Sequence, residues 1–274
     1  MSRPGTYVAP HARLPAQLAY RLRILRVLSR TEFKLKYAGS VLGYFWSLAK
    51  PLLYFSVLWI VFARLFRSSI PHFPLYLLIG IVLYTFLADA VALTLPSIVV
   101  RGAVLRRISF PSLIIPIATT LSTAMTFLLN CLAIVAFIAV TGVTPQIKWL
   151  FLIPLVLELY VFVLGLALIF SSLYVRFRDV GQMWEVLATV LLFTSPIMYP
   201  IRILPLWAQK IVSVNPLVQV IQDSRRLIFS GDPRLAGILT TAEGRAWPIL
   251  AAFATLSLGI YLHHIESPRF PEVA

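Results

Sequence analysis

Residues 108–147 read ISFPSLIIPIATTLSTAMTFLLNCLAIVAFIAVTGVTPQI, a run of 40 residues that contains no Asp, Glu, Lys or Arg. A helix needs about 20 predominantly apolar residues to cross the hydrocarbon core of a bilayer. This run is long enough to supply one such helix together with its connections. It therefore predicts a transmembrane helix, which we place at about residues 112–140.

Similar apolar blocks recur along the chain. Hydrophobic residues make up 59% and charged residues 12% of the 274 residues, and the mean hydropathy is +0.88. Soluble domains average roughly half apolar and a quarter charged residues. The composition thus predicts an all-α membrane protein in which residues 1–274 form a single transmembrane domain. The six predicted spans lie at about 41–65, 75–95, 112–140, 149–174, 184–199 and 246–262.

The charge distribution predicts the topology. A net charge of +14 is compatible with nucleic-acid binding, but the Lys and Arg residues lie before or between the apolar blocks, as membrane topology requires. With both termini in the cytoplasm, the predicted cytoplasmic segments hold 14 Lys and Arg residues and the opposite side holds nine. We therefore expect a multi-pass protein with cytoplasmic N- and C-termini, membrane lipids as neighbours and no nucleic-acid partner. The first 36 residues lack the apolar core of a cleavable signal peptide.

Two segments outside the spans also have a helical pattern. Residues 13–36 alternate basic and apolar residues, which predicts an interfacial amphipathic helix, or alternatively a solvated basic helix that only fixes topology. Residues 203–230 are moderately apolar but interrupted by Pro205 and Pro216, so they are too broken to span. They predict a re-entrant pair of short helices, or alternatively a helix lying on the extracytoplasmic surface.

The chain shows no pattern of a catalytic, metal or nucleotide site. It contains no Gly-Lys dipeptide, which excludes the usual phosphate-binding P-loop, and its four His residues have no ligand spacing within a span. The lone Cys131 leaves no partner for a disulfide within the chain. Asp89 and Glu158 are the ionisable groups expected at membrane depth, and we expect each to pair with an Arg or Lys, with an ion relay as the alternative. His263 and His264 follow the last span and are expected at the membrane interface.

An aromatic stripe stands out in the first predicted span. Phe55, Trp59, Phe62 and Phe66 are spaced four, three and four residues apart, which places them on one face of a helix. Aromatic faces pack well against the C–H surfaces of sugars, so this stripe is one candidate lining for a sugar conduit. An aromatic belt at the lipid interface and ordinary helix packing are the alternatives.

Several short motifs, in order along about 200 residues, resemble one family. They are RTEFKLKY at 30–37, GYFWSL at 43–48, PLL at 51–53, ISFP at 108–111, IP at 115–116, RFRDV at 176–180, SPIMYP at 195–200, NPL at 215–217 and Arg225. Together these motifs resemble the membrane subunits of polysaccharide ABC exporters, the O-antigen, capsule and teichoic-acid permeases of the type-2 ABC exporter superfamily.

The resemblance implies a transporter subunit that is not an enzyme. It implies a homodimer of six-span subunits in the bacterial plasma membrane, with a channel between the protomers and two copies of a separate ATP-binding cassette subunit that holds ATP and Mg²⁺. The implied cargo is a polyprenyl-pyrophosphate-linked polysaccharide, such as the O-antigen of lipopolysaccharide, a teichoic acid or a cell-wall galactan. A small-molecule or drug ABC exporter, and a membrane glycosyltransferase or scaffold, are the alternatives.

The resemblance also assigns roles to residues. A coupling helix at about 97–107 and the turn before span 5 are expected to meet the ATPase, through Ile98, Val99, Val100, Arg101, Gly102, Arg176, Arg178 and Asp179. The channel lining is expected to include Tyr44, Trp46, Tyr54, Phe55, Trp59, Phe62 and Tyr199. Contact with the substrate pyrophosphate or with lipid headgroups is expected from Arg26, Arg30, Lys34 and Lys36. No catalytic or metal-binding residue is implied.

Overall fold

The computed structural model describes residues 14–38, 43, 45–66, 72–101, 111–229 and 242–270. These residues form helices and their connections, with no strand among them. The long helices are α1 (Leu14–Tyr37), α2 (Phe45–Phe66), α3 (Phe73–Thr94), α5 (Ile114–Thr141), α6 (Leu152–Arg176) and α10 (Ala242–Glu266). The shorter ones are α4 (Ser97–Val100), α7 (Val180–Thr194), α8 (Leu206–Val212) and α9 (Pro216–Ile228). Short 3-10 turns occupy Ile147–Phe151, Ile201–Ile203 and Ser267–Arg269.

Local chemistry sets several helix ends. Helix α5 ends at Gly142, whose φ of 71° is the left-handed conformation that glycine adopts without steric cost. Helix α9 begins at Asn215, whose side-chain oxygen accepts a hydrogen bond from the backbone N–H of Leu217, with Pro216 in the first turn. The Asn215 cap satisfies one of the free N–H groups of the first turn of α9, which matters most in an apolar surrounding.

Helix α3 is the centre of the bundle. Of its window from Phe73 to Thr94, 72% is buried inside the protomer, and it packs against α2, α5, α6, α7 and α9. The other long apolar helices bury far less, since only 17% of the α2 window is covered. Their remaining surface is available to lipid or to another subunit.

Helices α6 and α10 approach each other unusually closely. A Cβ built on Gly165 would lie 2.6 Å from the backbone nitrogen of Leu256, and one built on Gly259 would lie 2.6 Å from the backbone oxygen of Gly165. Small residues at such crossings let membrane helices gain van der Waals contact that lipid does not offer. The two glycines therefore fix the distance between these helices.

Five helical segments are long and apolar enough to cross a bilayer: Phe45–Phe62, Phe73–Thr94, Ile114–Thr141, Ile147–Arg176 and Gly244–Arg269. They match five of the six predicted spans. The remaining one, predicted at 184–199, corresponds to α7, whose 15 residues reach only about 22 Å at 1.5 Å per residue. This is shorter than a typical hydrocarbon core of about 30 Å.

The helix itself ends five residues before the predicted end of that span. Helix α7 stops at Thr194, and Ser195 is extended with a ψ of 133°. The cause is Pro196, because a residue that precedes proline is disfavoured in the helical conformation. The sequence interpretation placed the boundary at Pro200 and overlooked the earlier proline. Further on, the predicted pair of short helices at 203–230 corresponds to α8 and α9.

Candidate functional site

A cavity of about 1120 Å³ lies where four helices meet. It is bounded by the last turn of α1, the first half of α2, the last half of α3 and the middle of α5. Its lining is mainly apolar and aromatic, with a few polar groups, which is the usual composition of a small-molecule site. The lining residues used below are Lys36, Trp46, Lys50, Tyr54, Tyr84, Asp89, Thr126 and Asn130.

Three charged side chains line this cavity among the described residues. Lys50 Nζ lies 2.7 Å from Asp89 Oδ1, so these two charges neutralise each other. Lys36 Nζ donates to Thr126 Oγ1 at 3.4 Å and lies 5.6 Å from the ring centroid of Tyr37, but no carboxylate within the described ranges pairs with it. Within the described part of the chain, the cavity therefore carries one ammonium group that no acidic side chain neutralises.

A buried amide adds a second polar feature. Asn130 is 7% exposed, and its Oδ1 has no hydrogen-bond partner among the described residues. An unsatisfied buried acceptor costs about 1–3 kcal/mol. Thr126, one turn earlier on α5, lines the same cavity and contacts both Lys36 and Tyr37. The amide oxygen itself is buried, so Asn130 borders the cavity without its Oδ1 being exposed there.

Two of the predicted channel residues line this cavity. Trp46 and Tyr54 lie on one face of α2, and Lys50 lies between them at intervals of four residues. Sequence reasoning missed Lys50, although the four-residue spacing from Trp46 through Lys50 to Tyr54 was a readable signal. Their role in a channel remains a prediction. Tyr44 lies outside the described residues.

The described side chains of the predicted aromatic stripe do not line this cavity. Phe55 is 5% exposed and packs edge-on against Phe137 at a centroid distance of 5.3 Å, so it belongs to the core of the protomer, and its role in a channel lining remains a prediction. Trp59 stacks on Phe55 at 6.4 Å, and Phe62 packs against the core; neither lines the cavity. Helix packing, which was one of the alternatives, thus accounts for Phe55 and Phe62, whereas Trp59 is 42% exposed and the side chain of Phe66 lies outside the described part of the chain.

Tyr199 lies at the far end of α7, away from the cavity lining. Its hydroxyl donates to the backbone oxygen of Phe193 at 2.9 Å, and its own carbonyl accepts from the hydroxyl of Tyr76 at 3.1 Å. These bonds hold the turn after α7 against α3.

The same turn is fixed by a fully buried arginine. Arg225 is 0% exposed, and its Nε donates a hydrogen bond to the backbone oxygen of Tyr76 at 3.0 Å. Its two terminal nitrogens donate to the backbone oxygens of Pro196, at 2.6 Å, and of Ile197, at 2.7 Å. Its guanidinium carbon also lies 3.4 Å from the Tyr76 ring centroid. A guanidinium fork suits such a set of separated acceptors. The interrupted backbone after α7 is therefore satisfied by α9.

The segment predicted to couple to the ATPase is described in part. Helix α4 covers Ser97–Val100, and Gly102 lies outside the described residues. Ile98 was predicted to be available to a partner, but it is 0% exposed and packs with Val175 and Phe270, because α4 folds back onto α6. Val99 packs partly against the same cluster, whereas Val100 is 76% exposed.

Arg101 faces inward as well. It forms an ion pair with Glu32 of α1 and donates to Thr119 Oγ1 at 3.3 Å. Burial raises the pKa of Glu32, and the adjacent Arg101 guanidinium opposes that rise. This pair connects α1 to the segment after α4, which sequence reasoning did not foresee.

The remaining predicted contact residues are exposed. Arg176, Arg178 and Asp179 form an exposed turn between α6 and α7, where Arg176 lies over Phe177 and Arg178 over Tyr174, both at 5.0 Å from the ring centroid. On α1, an exposed basic surface is formed by Arg26, Arg30, Lys34 and Lys36. The roles assigned to these residues remain predictions.

Three predictions about single ionisable residues have clear outcomes. The expected pairing of Asp89 is confirmed by Lys50. Glu158 has no ion-pair partner among the described residues, and its buried Oε1 accepts no hydrogen bond within them. His263 was expected at the interface but is 1% exposed, because Ser112 Oγ and Ser172 Oγ lie 2.9 and 3.3 Å from its ring nitrogens.

Comparison with known proteins supports the resemblance. Residues 23–229 match the family model described as ABC-2 type transporter. The O-antigen export system permease protein RfbA of Klebsiella pneumoniae is 29% identical over 215 residues, which cover 78% of this chain and 83% of that protein. The protein of the same name from Myxococcus xanthus is 24% identical over 219 residues, covering 79% and 84%. The polysialic acid transport protein KpsM of Escherichia coli is 22% identical over 237 residues, covering 85% and 89%.

The family model alone covers more than half of the chain, and the relatives align along most of their own length. Taken with the five helices that are long and apolar enough to cross a bilayer, this shows that the chain is an integral membrane protein of the ABC-2 type transporter family.

Proposed function

We propose that this protein is the transmembrane subunit of an ATP-driven exporter that carries a lipid-linked polysaccharide across the bacterial plasma membrane. The observation that carries the proposal is the cavity, since it combines aromatic side chains with the ammonium of Lys36, which has no acidic partner among the described residues. An anionic lipid headgroup attached to a sugar offers complementary groups for each. The names of the similar permeases agree with this cargo class.

In this proposal the chain crosses the membrane six times and both termini lie in the cytoplasm. Helix α7 completes its crossing with the turn that follows it, where Arg225 satisfies the carbonyls of Pro196 and Ile197. Irregular backbone at membrane depth is tolerated when its polar groups are satisfied by protein. Helices α8 and α9 then form the re-entrant pair, and α1 lies at the cytoplasmic interface with its basic residues toward lipid headgroups.

Two protomers and two ATP-binding subunits complete the transporter in this proposal. The weakly covered surface of α2 supports pairing with a second copy, so that the channel runs between protomers. The exposed end of α4, at Val100, and the exposed turn at Arg176 and Arg178 support docking of the ATPase on the cytoplasmic side. ATP and Mg²⁺ are then held by that partner.

Coupling follows from the contacts of α4. ATP binding shifts the channel only if the ATPase prefers one of its conformations, because a ligand moves an equilibrium through differential affinity alone. Movement at α4 reaches α1 through the Arg101–Glu32 pair, and Lys36, one turn beyond Glu32, lines the cavity. The ATPase is thereby linked to the site where we place the headgroup.

Replacing Trp46 or Tyr54 with Ala is expected to lower export of the polymer by up to about tenfold, because an aromatic contact contributes about 0.5–1.5 kcal/mol. The measurement is surface polysaccharide in a deletion strain complemented by each variant at equal expression. Trp247→Ala is the matched control, since Trp247 is 64% exposed on α10 and lies outside the cavity. Equal export by all three variants would remove the cavity from the transport path.

A test of the assembly is purification of the tagged protein from its native membrane. We expect an ATP-binding cassette subunit to copurify and to supply all nucleotide hydrolysis. A small-molecule exporter would also retain such a subunit but would leave surface polysaccharide unchanged when deleted. A glycosyltransferase or scaffold would purify without it.

A further inference from the structure

Helix α4 is held by a small apolar cluster that is separate from the main core of the bundle. The cluster consists of Ile98 of α4, Val175 of α6 and Phe270, which follows the 3-10 turn at Ser267–Arg269. These three side chains are 0%, 4% and 1% exposed. Helix α4 is only four residues long, and a helix this short has little stability of its own. Its position therefore depends on the side chains on which it packs.

The cluster joins the two exposed segments on which we place the ATPase. Ile98 lies two residues before Val100, which is 76% exposed. Val175 lies directly before Arg176, which begins the exposed turn between α6 and α7. The two segments are far apart in the sequence, but α4 and α6 contact each other in the fold. Because Ile98 and Val175 belong to one buried cluster, the two exposed segments are expected to move together.

Phe270 closes the third side of this cluster, and its own position is fixed. Its ring packs edge-on against the ring of His263, with the centroids 5.0 Å apart. His263 is 1% exposed, and its two ring nitrogens lie 2.9 Å from Ser112 Oγ and 3.3 Å from Ser172 Oγ. Two hydroxyls can fix an imidazole because each of them is able to donate to, or accept from, one ring nitrogen. Phe270 therefore connects α4 to a well-anchored part of α10.

We propose that Phe270 is a positioning residue of the transporter, which holds α4 against the end of α6 so that a movement of the docked ATPase is passed to the bundle. The inference rests on the proposed function and goes beyond it, since it gives the segment after α10 a role in coupling. The ATPase can shift the channel only through contacts that differ in free energy between the channel states. A loosely held α4 would absorb the movement locally. Loss of the Phe270 ring is then expected to separate ATP hydrolysis from export.

Phe270→Ala is expected to lower surface polysaccharide about tenfold, which is within the range for residues that modulate coupling at a distance. ATP hydrolysis by the purified complex with its ATP-binding subunit is expected to stay within about twofold of the wild type. Phe270→Leu retains most of the apolar volume and is expected to restore export to within about twofold. Phe253→Ala is the matched control, since Phe253 is 55% exposed on α10 and is not part of the cluster. The variants are compared at equal amounts of monodisperse complex.

The packing itself is tested by thiol labelling, which needs no cargo. In a Cys131→Ser background, Ile98→Cys places a thiol in the cluster, and its labelling by a water-soluble maleimide reports how often α4 opens. We expect labelling to become about tenfold faster when Phe270→Ala is added. Val100→Cys is the control, because Val100 is already exposed and its labelling is expected not to change. The full-length protein is labelled in isolated membranes, so the result does not depend on recovery of the purified complex.

A parallel loss of hydrolysis and export in Phe270→Ala would show that the residue only supports folding or docking, and would overturn the proposal. Unchanged export in this variant would overturn it as well, and so would equal labelling of Ile98→Cys with Phe or Ala at position 270. These failures would leave the exporter proposal standing, because the wild-type protein would still export polymer. Absence of polymer export by the wild-type protein would instead remove the proposed function, and with it the role of Phe270 in coupling.

Discussion

Arg225→Lys is expected to lower the melting temperature of the purified protein by roughly 10 °C, which corresponds to at least about 3 kcal/mol of stability. The guanidinium reaches three backbone oxygens, of Tyr76, Pro196 and Ile197, with three different nitrogens. A lysine ammonium is a single point and cannot reach acceptors on both α3 and the turn after α7. At least one buried carbonyl is then left without a donor.

The close fit around Arg225 strengthens this expectation. A Cβ on Gly80 of α3 would lie 2.6 Å from a terminal nitrogen of Arg225, which is too close for a real side chain. Only glycine at this position lets the backbone of α3 lie against the guanidinium. The native guanidinium is therefore held tightly between α3 and the turn after α7.

Thermal unfolding of the detergent-solubilised protein, followed by the loss of monodisperse material on size exclusion, is the measurement. The neighbouring Arg226→Lys is the control, because Arg226 is partly exposed and its nearest acid, Asp223, lies 4.0 Å away. We expect the control to melt within a few degrees of the wild type. Equal melting of Arg225→Lys and the wild type would show that the buried guanidinium does not hold the turn after α7.

Gly165→Ala is expected to destabilise the contact between α6 and α10 by about 1–3 kcal/mol, the usual cost of adding a methyl group to a tightly packed core. The new Cβ would meet backbone atoms of Thr255 and Leu256 at 2.6–2.8 Å. Backbone cannot rotate away as a side chain can, so one helix must shift. A shift of α10 also disturbs His263, which links α10 to the turn before α5 through Ser112 and to α6 through Ser172.

Gly181→Ala is the matched control for this prediction. A Cβ at Gly181 would lie 3.5 Å from the ring of Tyr174, which is ordinary van der Waals contact. The two variants carry the same chemical change, so intrinsic helix propensity affects both alike. Equal amounts of folded Gly165→Ala and Gly181→Ala protein after membrane extraction and mild heating would contradict the close approach of α6 and α10.

The sequence predicted the parts of the fold that depend on long-range composition. Five apolar blocks gave helices close to their predicted positions, since the length and hydropathy of a span are properties of the chain alone. The end of α7 was misplaced because the decisive residue, Pro196, was read as part of the apolar block. Pro205 and Pro216 lie at the starts of the two short helices α8 and α9, whose re-entrant placement remains a prediction.

The candidate site was less predictable because it depends on packing between helices. Trp46 and Tyr54 were foreseen, but a single sequence does not reveal that Asn130 of α5 and Asp89 of α3 meet them in one cavity. The burial of Phe55 and Ile98 was not foreseen for the related reason that an apolar side chain has the same pattern whether it faces the core or a partner. The pairing of Arg101 with Glu32 joins residues 69 positions apart and leaves no local signal.

The most direct test of the account is depletion of this protein in its native cell, followed by analysis of lipid-linked glycans on each face of the plasma membrane. We predict that a polymer linked to a lipid carrier accumulates on the cytoplasmic leaflet while the same polymer disappears from the cell surface. Unchanged surface polysaccharide, with no lipid-linked glycan accumulating inside, would contradict the assignment of this protein to polysaccharide export.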